Sequence, residues 1–221
     1  MKQFQTLLLI CCAAVVLYAC NATKAQKGAA IGGAGGVVLG SIIGNATGNK
    51  TLGTIIGAAV GGTAGAVIGN KMDKQAREIE NDLPGAKVER VGEGIVVEFN
   101  EKILFDFAQS SLGDASKANL DKLVNVLQKY PDTDIEIQGH TDTRGADDYN
   151  MGLSERRATT VADYLKQKGI TTTRITTKGY GESAPKYSEV TTDSMAMNRR
   201  VEFLITANKK MQEEAKKEAN N

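Results

Sequence analysis

Residues 135–165 set the pattern from which the rest of the chain can be read. Ile135, Ile137 and Gly139 alternate with Glu136 and Gln138, a period of two that predicts a strand buried on one face. A polar loop carrying His140, Asp142 and Gly145 follows. A helix is predicted from Asp147, with two acids in its first turn, where the helix dipole favours them. At about 100° per residue, Leu153, Ala158, Val161, Tyr164 and Leu165 share one apolar face. Asn150 and Arg157 fall inside that stripe, whereas Arg156 lies outside it. An arginine on the core-facing side of a helix is costly unless its charge is paired. The candidate partners for Arg157 are Asp142 and a carboxylate from outside the protein.

The flanking pattern is regular enough to extend in both directions. Residues 87–91 and 95–99, joined by Gly92-Glu93-Gly94, read as a β-hairpin, and 103–105 is a further short apolar run. Residues 114–130 form an amphipathic helix with Leu120, Leu123, Val124 and Leu127 on one face, closed by Pro131. The helix bearing Arg157 stops at Gly169. A strand follows over 174–180, then a polar loop, then a last strand over 201–206 in which Val201, Phe203 and Ile205 alternate with other residues. Strands and helices alternating as β-α-β-α-β predict parallel neighbours joined by right-handed crossovers. Residues 71–85 read as a charged helical linker ended by Leu83-Pro84-Gly85, residues 86–206 as one domain, and 207–221 as a charged tail in a solvated helix.

The N-terminal third has a different texture. Lys2 and an apolar run without any acid mark residues 1–19 as a secretory signal peptide whose core is short for a bilayer span. The run ends Leu17-Tyr18-Ala19-Cys20, which resembles a bacterial lipobox. Cleavage there leaves Cys20 as the acylated first residue, because Cys11 and Cys12 go with the removed segment. After a lipidated tether, 20–27, glycines recur at every fourth position from 28 to 48 and again from 53 to 69, around the turn signal Gly48-Asn49-Lys50. In water each glycine weakens a helix by about 1 kcal/mol against alanine. In a membrane or a tight helix pair the same spacing makes a stripe that lets backbones approach. Residues 28–70 are therefore expected to form a glycine-zipper helical hairpin that meets the membrane or self-associates into a homo-oligomer. A flexible Gly/Ala linker is the alternative.

Composition narrows the chemistry. A formal charge of +1 leaves no basic footprint, so nucleic acid is not an expected partner. One cysteine surviving cleavage and one histidine make neither an intrachain disulfide nor a zinc site. The acids from Asp142 to Asp148 lack calcium-loop spacing. Gly181-Glu182-Ser183-Ala184-Pro185 fails as a nucleophile elbow at its last position. No catalytic residue, metal or cofactor is expected, and His140 reads as a loop-orienting hydrogen-bonding residue.

Five stretches then point to a family. Gly139–Asp142 (GHTD), Tyr149–Asn150, Leu153–Ala158 (LSERRA), Gly179–Pro185 (GYGESAP) and Asn198–Phe203 (NRRVEF) resemble, in order and spacing, the OmpA C-terminal-like, peptidoglycan-binding domain. The resemblance implies an α+β fold, a mixed sheet with helices on one face. It also implies a non-catalytic grip on the diaminopimelate of the peptidoglycan stem peptide. Carried over, it puts ligand contacts on Asp142 and Arg157 with Asn150 beside them, the Arg157 fork holding a carboxylate through two hydrogen bonds. His140, Thr141, Arg199 and Arg200 take supporting roles. Ala108 stands where the family often has asparagine or glycine, and is left out of the expected site. An outer-membrane lipoprotein on the periplasmic face, tied to the cell wall, is the function this implies. The alternative is a glycine-zipper membrane assembly or pore-like structure with the C-terminal domain as a passive wall anchor.

Overall fold

The computed structural model describes residues 62–106 and 108–220. The signal segment, Cys20, the tether and all but the end of the glycine ladder lie outside the described residues. One sheet carries the strands β1 (Lys87–Val91), β2 (Gly94–Asn100), β3 (Thr133–His140), β4 (Ile175–Gly179) and β5 (Arg200–Ala207), in the order β1-β2-β5-β3-β4. The helices are α1 (Gly62–Asp82), α2 (Glu101–Leu104), α3 (Asp114–Lys129), α4 (Asp147–Gln167), α5 (Thr192–Asn198) and α6 (Lys209–Ala219).

The sheet is mixed, and its order corrects the expectation of parallel neighbours. β3 and β4 pair in parallel across the α4 crossover. β2 and β3 are separated by β5, which runs antiparallel to both. The reason lies in β5 itself. Val201, Phe203 and Ile205 are buried on the helix side, and Arg200, Glu202 and Leu204 are buried on the other. A strand covered on both faces belongs in the middle of a sheet, and the last strand therefore inserts between two earlier ones.

On the helix side, Ile95, Val97 and Phe99 of β2, Ile135 and Ile137 of β3, and the inward residues of β5 join Leu120, Leu123, Val124 and Leu127 of α3 and Ala158, Val161, Ala162 and Leu165 of α4 in one core. The Phe99 and Phe203 rings meet edge to face at 5.6 Å. α4 lies unusually low on the sheet because two strand positions lack a side chain. A Cβ on Gly139 would stand 2.1 Å from the Ser154 carbonyl oxygen, and one on Gly179 would stand 2.4 Å from Glu155 Cγ. That approach brings the Asn150–Arg157 stripe against the carboxyl end of β3.

Four elements differ from the sequence pattern. The short apolar run at 103–105 lies mostly in α2, capped by Asn100, whose side chain accepts from the Lys102 amide. The polar loop after β4 ends in α5, started by a reciprocal Thr191–Ser194 capping box. α1 runs unbroken across position 70, so the end of the glycine ladder and the charged linker are one helix. Its buried face, Ala64, Ile68, Met72, Gln75, Ala76 and Ile79, is part of the domain. Burial of Ile68, Met72 and Ile79 contributes about 1.5–3 kcal/mol each. The tail is not a solvated helix: α6 buries Met211 and Ala215 and packs on α1. Among the described residues no helix is long and apolar enough to cross a membrane.

Candidate ligand-binding cleft

The loop after β3, the first half of α4, the start of α2 and the residue just before β5 enclose a cleft of about 270 Å³. Its walls include Glu101, Ala108, Thr141, Asp142, Arg144, Asn150, Arg157 and Arg199, with Tyr149 half exposed at the side. Three arginines face two carboxylates there, so the cleft presents a surplus of positive charge to an anionic ligand.

Arg157 sits where the helix stripe placed it, 1% exposed. Its partner corrects the sequence expectation: not Asp142 but Glu101, whose Oε1 lies 2.5 Å from Arg157 Nη2. Nε donates to the Gln109 carbonyl oxygen at 2.9 Å, and the guanidinium lies 5.2 Å from the centre of the Phe105 ring. Glu101 is in the first turn of α2, a helix that the apolar pattern does not announce, and the carboxylate was for that reason missed. Nε and one of the two Nη2 hydrogens are committed, so a two-bond fork to a ligand is confined to the Nη1–Nη2 edge. In the arrangement observed, Nη1 is the nitrogen left wholly uncommitted among the described residues.

Asp142 is buried beside it and belongs to two other arginines. Its Oδ2 accepts from Arg199 Nη1 at 2.6 Å and from Arg144 Nε at 2.8 Å. Oδ1 accepts only a long 3.3 Å bond from the Arg144 amide. Burial alone raises the Asp142 carboxyl pKa, but hydrogen bonds from Arg144 and Arg199 outweigh it and hold the group below the usual aspartate range. Arg199 also reaches Glu101, Nε to Oε2 at 2.7 Å, an ion pair without hydrogen-bond alignment. The chain Arg157–Glu101–Arg199–Asp142–Arg144 is thus continuous. Arg144, in the loop between Asp142 and Gly145, carries no periodic signal and was also missed.

Asn150 holds the loop in place. Its amide donates to the Asp142 and Arg144 carbonyl oxygens at 3.3 and 3.2 Å and to Glu182 Oε2 at 2.7 Å. Thr141 lines the cleft with a buried hydroxyl that has no protein partner, a position that a ligand atom or a water would satisfy. Ala108, left out of the expected site, lines it too, in a left-handed conformation with φ of 55°.

Two expected supporting residues lie elsewhere. His140 points to the opposite face of the sheet, because it alternates with Gly139, which faces α4. It makes no hydrogen bond at either ring nitrogen and stacks on Tyr180 at 5.1 Å with 3° between the planes. It orients the loop by stacking, not by hydrogen bonding. Burial first, then the nearby Arg200 and Lys186, push its pKa well below the ordinary histidine value. Arg200 faces that same outer side, pairs with Glu202 at 2.7 Å and donates to the Asn198 and Ala184 carbonyl oxygens. It is no part of the cleft.

Residues 104–199 match the model of the OmpA family, and residues 1–73 match the YMGG-like Gly-zipper. Over 141 residues the chain is 34% identical to the probable lipoprotein YiaD of Escherichia coli (strain K12), covering 63% of this chain and 64% of that protein. Over 108 residues it is 36% identical to the peptidoglycan-associated lipoprotein of Legionella pneumophila, covering 49% of this chain and 61% of that one. The chain therefore spans less than two thirds of the length of either relative. The solved cell wall anchor of the T6SS from Pseudomonas aeruginosa superposes with a TM-score of 0.56 at 28% identity, over 61% of this chain and 97% of that one. The segment that matches the OmpA family holds β3, β4, α4 and all of the cleft lining except Glu101, and it follows a segment that matches the YMGG-like Gly-zipper.

Proposed function

We propose that the protein is a non-catalytic, peptidoglycan-binding lipoprotein that ties the outer membrane to the cell wall from the periplasmic side. The observation that carries this is the cleft: an ionised, buried Asp142 with one lightly engaged oxygen, set among Arg157, Arg199 and the unpartnered Thr141 hydroxyl. An ammonium and a carboxylate on one carbon, as at the free end of diaminopimelate in a stem peptide, fit that pattern. The ammonium docks on Asp142 Oδ1, and the carboxylate takes Arg157 Nη1 and the Thr141 hydroxyl. The names of the two lipoprotein relatives and of the cell wall anchor support the same reading, as does the Cys20 motif for a lipid on the mature N-terminus.

The test is co-sedimentation with purified peptidoglycan of two chemotypes, one carrying diaminopimelate and one carrying lysine in the stem. Removing one partner of a desolvated charge pair costs about 2–5 kcal/mol in binding. Asp142→Ala is therefore expected to lose at least about tenfold on the diaminopimelate wall. The exposed Arg156, changed to alanine, leaves binding as it was. Equal sedimentation on both walls would overturn the diaminopimelate assignment, and equal losses from Arg156→Ala would overturn the site.

A further inference from the structure

The cleft and the N-terminal segment are joined by α1, and the packing of α1 has a flaw in it. Gln75 lies in the buried face of that helix, 0% exposed, between Met72 and Ile79, and neither atom of its amide has a partner. The polar contacts that hold α1 down are peripheral and partly exposed. Arg90 meets Asp73 at 2.7 Å, and Glu78 receives Lys129 at 3.0 Å and the Tyr130 hydroxyl at 2.7 Å. Pairs of that kind hold weakly. α1 packs on β1, β2 and α3, and most extensively on α6, a short helix that buries Met211 and Ala215. None of the cleft-lining residues belongs to α1 or α6, and both helices lie outside residues 104–199. Release of α1 would therefore remove no cleft-lining residue.

We infer that α1 is a releasable strut: α6 latches it to the domain, Gln75 keeps the latch weak, and release lengthens the link between the N-terminal anchor and the cleft. The length at stake is set by the helix. Twenty-one residues of α-helix span about 31 Å, and the same residues drawn out extend to about 70 Å. The meaning of that reach rests on the wall-anchor reading above. The two-state packing does not.

The experiment is native trypsin digestion of the full chain, following cleavage at the exposed Lys74 and Arg77 of α1. A docked helix is cut only when it opens, so the rate reports the open population. Gln75→Met, close in shape and free of the stranded amide, is expected to slow cleavage about tenfold. Ala215→Asp, which puts a charge in the latch, is expected to speed it at least about tenfold while sedimentation with peptidoglycan stays as in the parent chain. Unchanged cleavage in both variants overturns the strut. So does an Ala215→Asp protein that is cut throughout the domain and loses wall binding with it, because α1 then opens only by global unfolding. If the parent chain does not bind peptidoglycan while the two variants still shift cleavage in opposite directions, the strut stands and the wall-anchor reading falls.

Discussion

The domain carries two clusters of buried charge, and they differ in charge balance and in access. At the cleft, Arg144, Arg157 and Arg199 surround Asp142 and Glu101. On the outer face of the sheet, Lys186 lies 2.7 Å from Glu98, 3.6 Å from Glu89 and 3.8 Å from Glu202, and Arg200 pairs with Glu202. Both are networks of ion pairs formed largely by buried side chains, and both include neighbouring residues of the same motif, Arg199 in one and Arg200 in the other. The cleft network has an excess of cations and opens into about 270 Å³ of space. The outer network, in which Lys87 also pairs with Glu89, has no such excess and is packed around Lys186, Tyr187 and Asn198, which bind the sheet and the α5 loop together. Buried charge by itself therefore does not mark a site. Buried charge with access and an uncommitted atom does.

The largest expected effect separates binding from stability. Arg157→Ala leaves Glu101 buried and half-paired, which costs about 3–5 kcal/mol of stability, and binding to peptidoglycan is lost. Combining Arg157→Met with Glu101→Gln removes both charges of that pair. Thermal unfolding should then recover most of the loss, since apolar or neutral replacements of a buried pair are close to neutral, while binding stays absent. Lys186→Ala on the outer face gives the opposite result: lower unfolding temperature, with wall binding per folded molecule unchanged. A double variant that regains binding would show that Arg157 serves only the fold.

A smaller effect comes from His140 and has a sign that can be worked out. In the unfolded chain the imidazole titrates near its ordinary value of 6.5, and in the fold its pKa lies well below that. Above pH 6.5 both states are neutral and the group contributes no pH dependence. Below it the unfolded chain takes up a proton that the native protein refuses, so stability falls as pH drops, by up to about 1.4 kcal/mol per pH unit. His140→Phe keeps a ring to stack on Tyr180 and has nothing to titrate. Denaturant midpoints measured from pH 7 down to pH 5 should slope for the parent chain and run flat for the variant. A slope that persists in the variant would place the titrating group elsewhere.

How much of this was legible in the sequence follows from where each signal is local. β3 and α4 could be read because alternation and a helical stripe are properties of adjacent residues, and Arg157 stood out as a charge on the wrong side of a helix. Glu101 could not be found that way. It becomes the partner of Arg157 only because α2, at the end of β2, meets the middle of α4, a tertiary event with no periodicity of its own. The same holds for His140 and Arg200. Each sits one residue from a cleft residue, and strand alternation turned both to the outer face. Counting that alternation from Gly139, which had to face α4, was the one signal that could have placed His140 correctly. The strand order was out of reach for a related reason: apolar residues on both sides of β5 were visible only at Leu204, and the other cover is charged.

The smallest expected effect tests a residue the family pattern had flagged. Ala108 stands in the cleft wall with φ of 55°, where a Cβ crowds the neighbouring carbonyl and costs about 1–2 kcal/mol. Glycine removes that crowding but loses more backbone entropy on folding, which takes back about 0.4–1 kcal/mol. Ala108→Gly should then be stabilising by roughly 0.5–1 kcal/mol, read as a rise in denaturant midpoint with an unchanged slope. Ala108→Asn should also stabilise, since asparagine tolerates the left-handed region better than alanine, and it adds an amide to the cleft wall. The glycine variant leaves the charged groups alone and is expected to bind peptidoglycan as the parent does. The outer face shows no such strain, for Ala108 is the one non-glycine residue with positive φ among the described residues. The site thus differs from the sealed network in backbone as well as in access. A destabilised Ala108→Gly chain would mean that the left-handed turn is not a source of strain, and that the alanine methyl is packed rather than crowded.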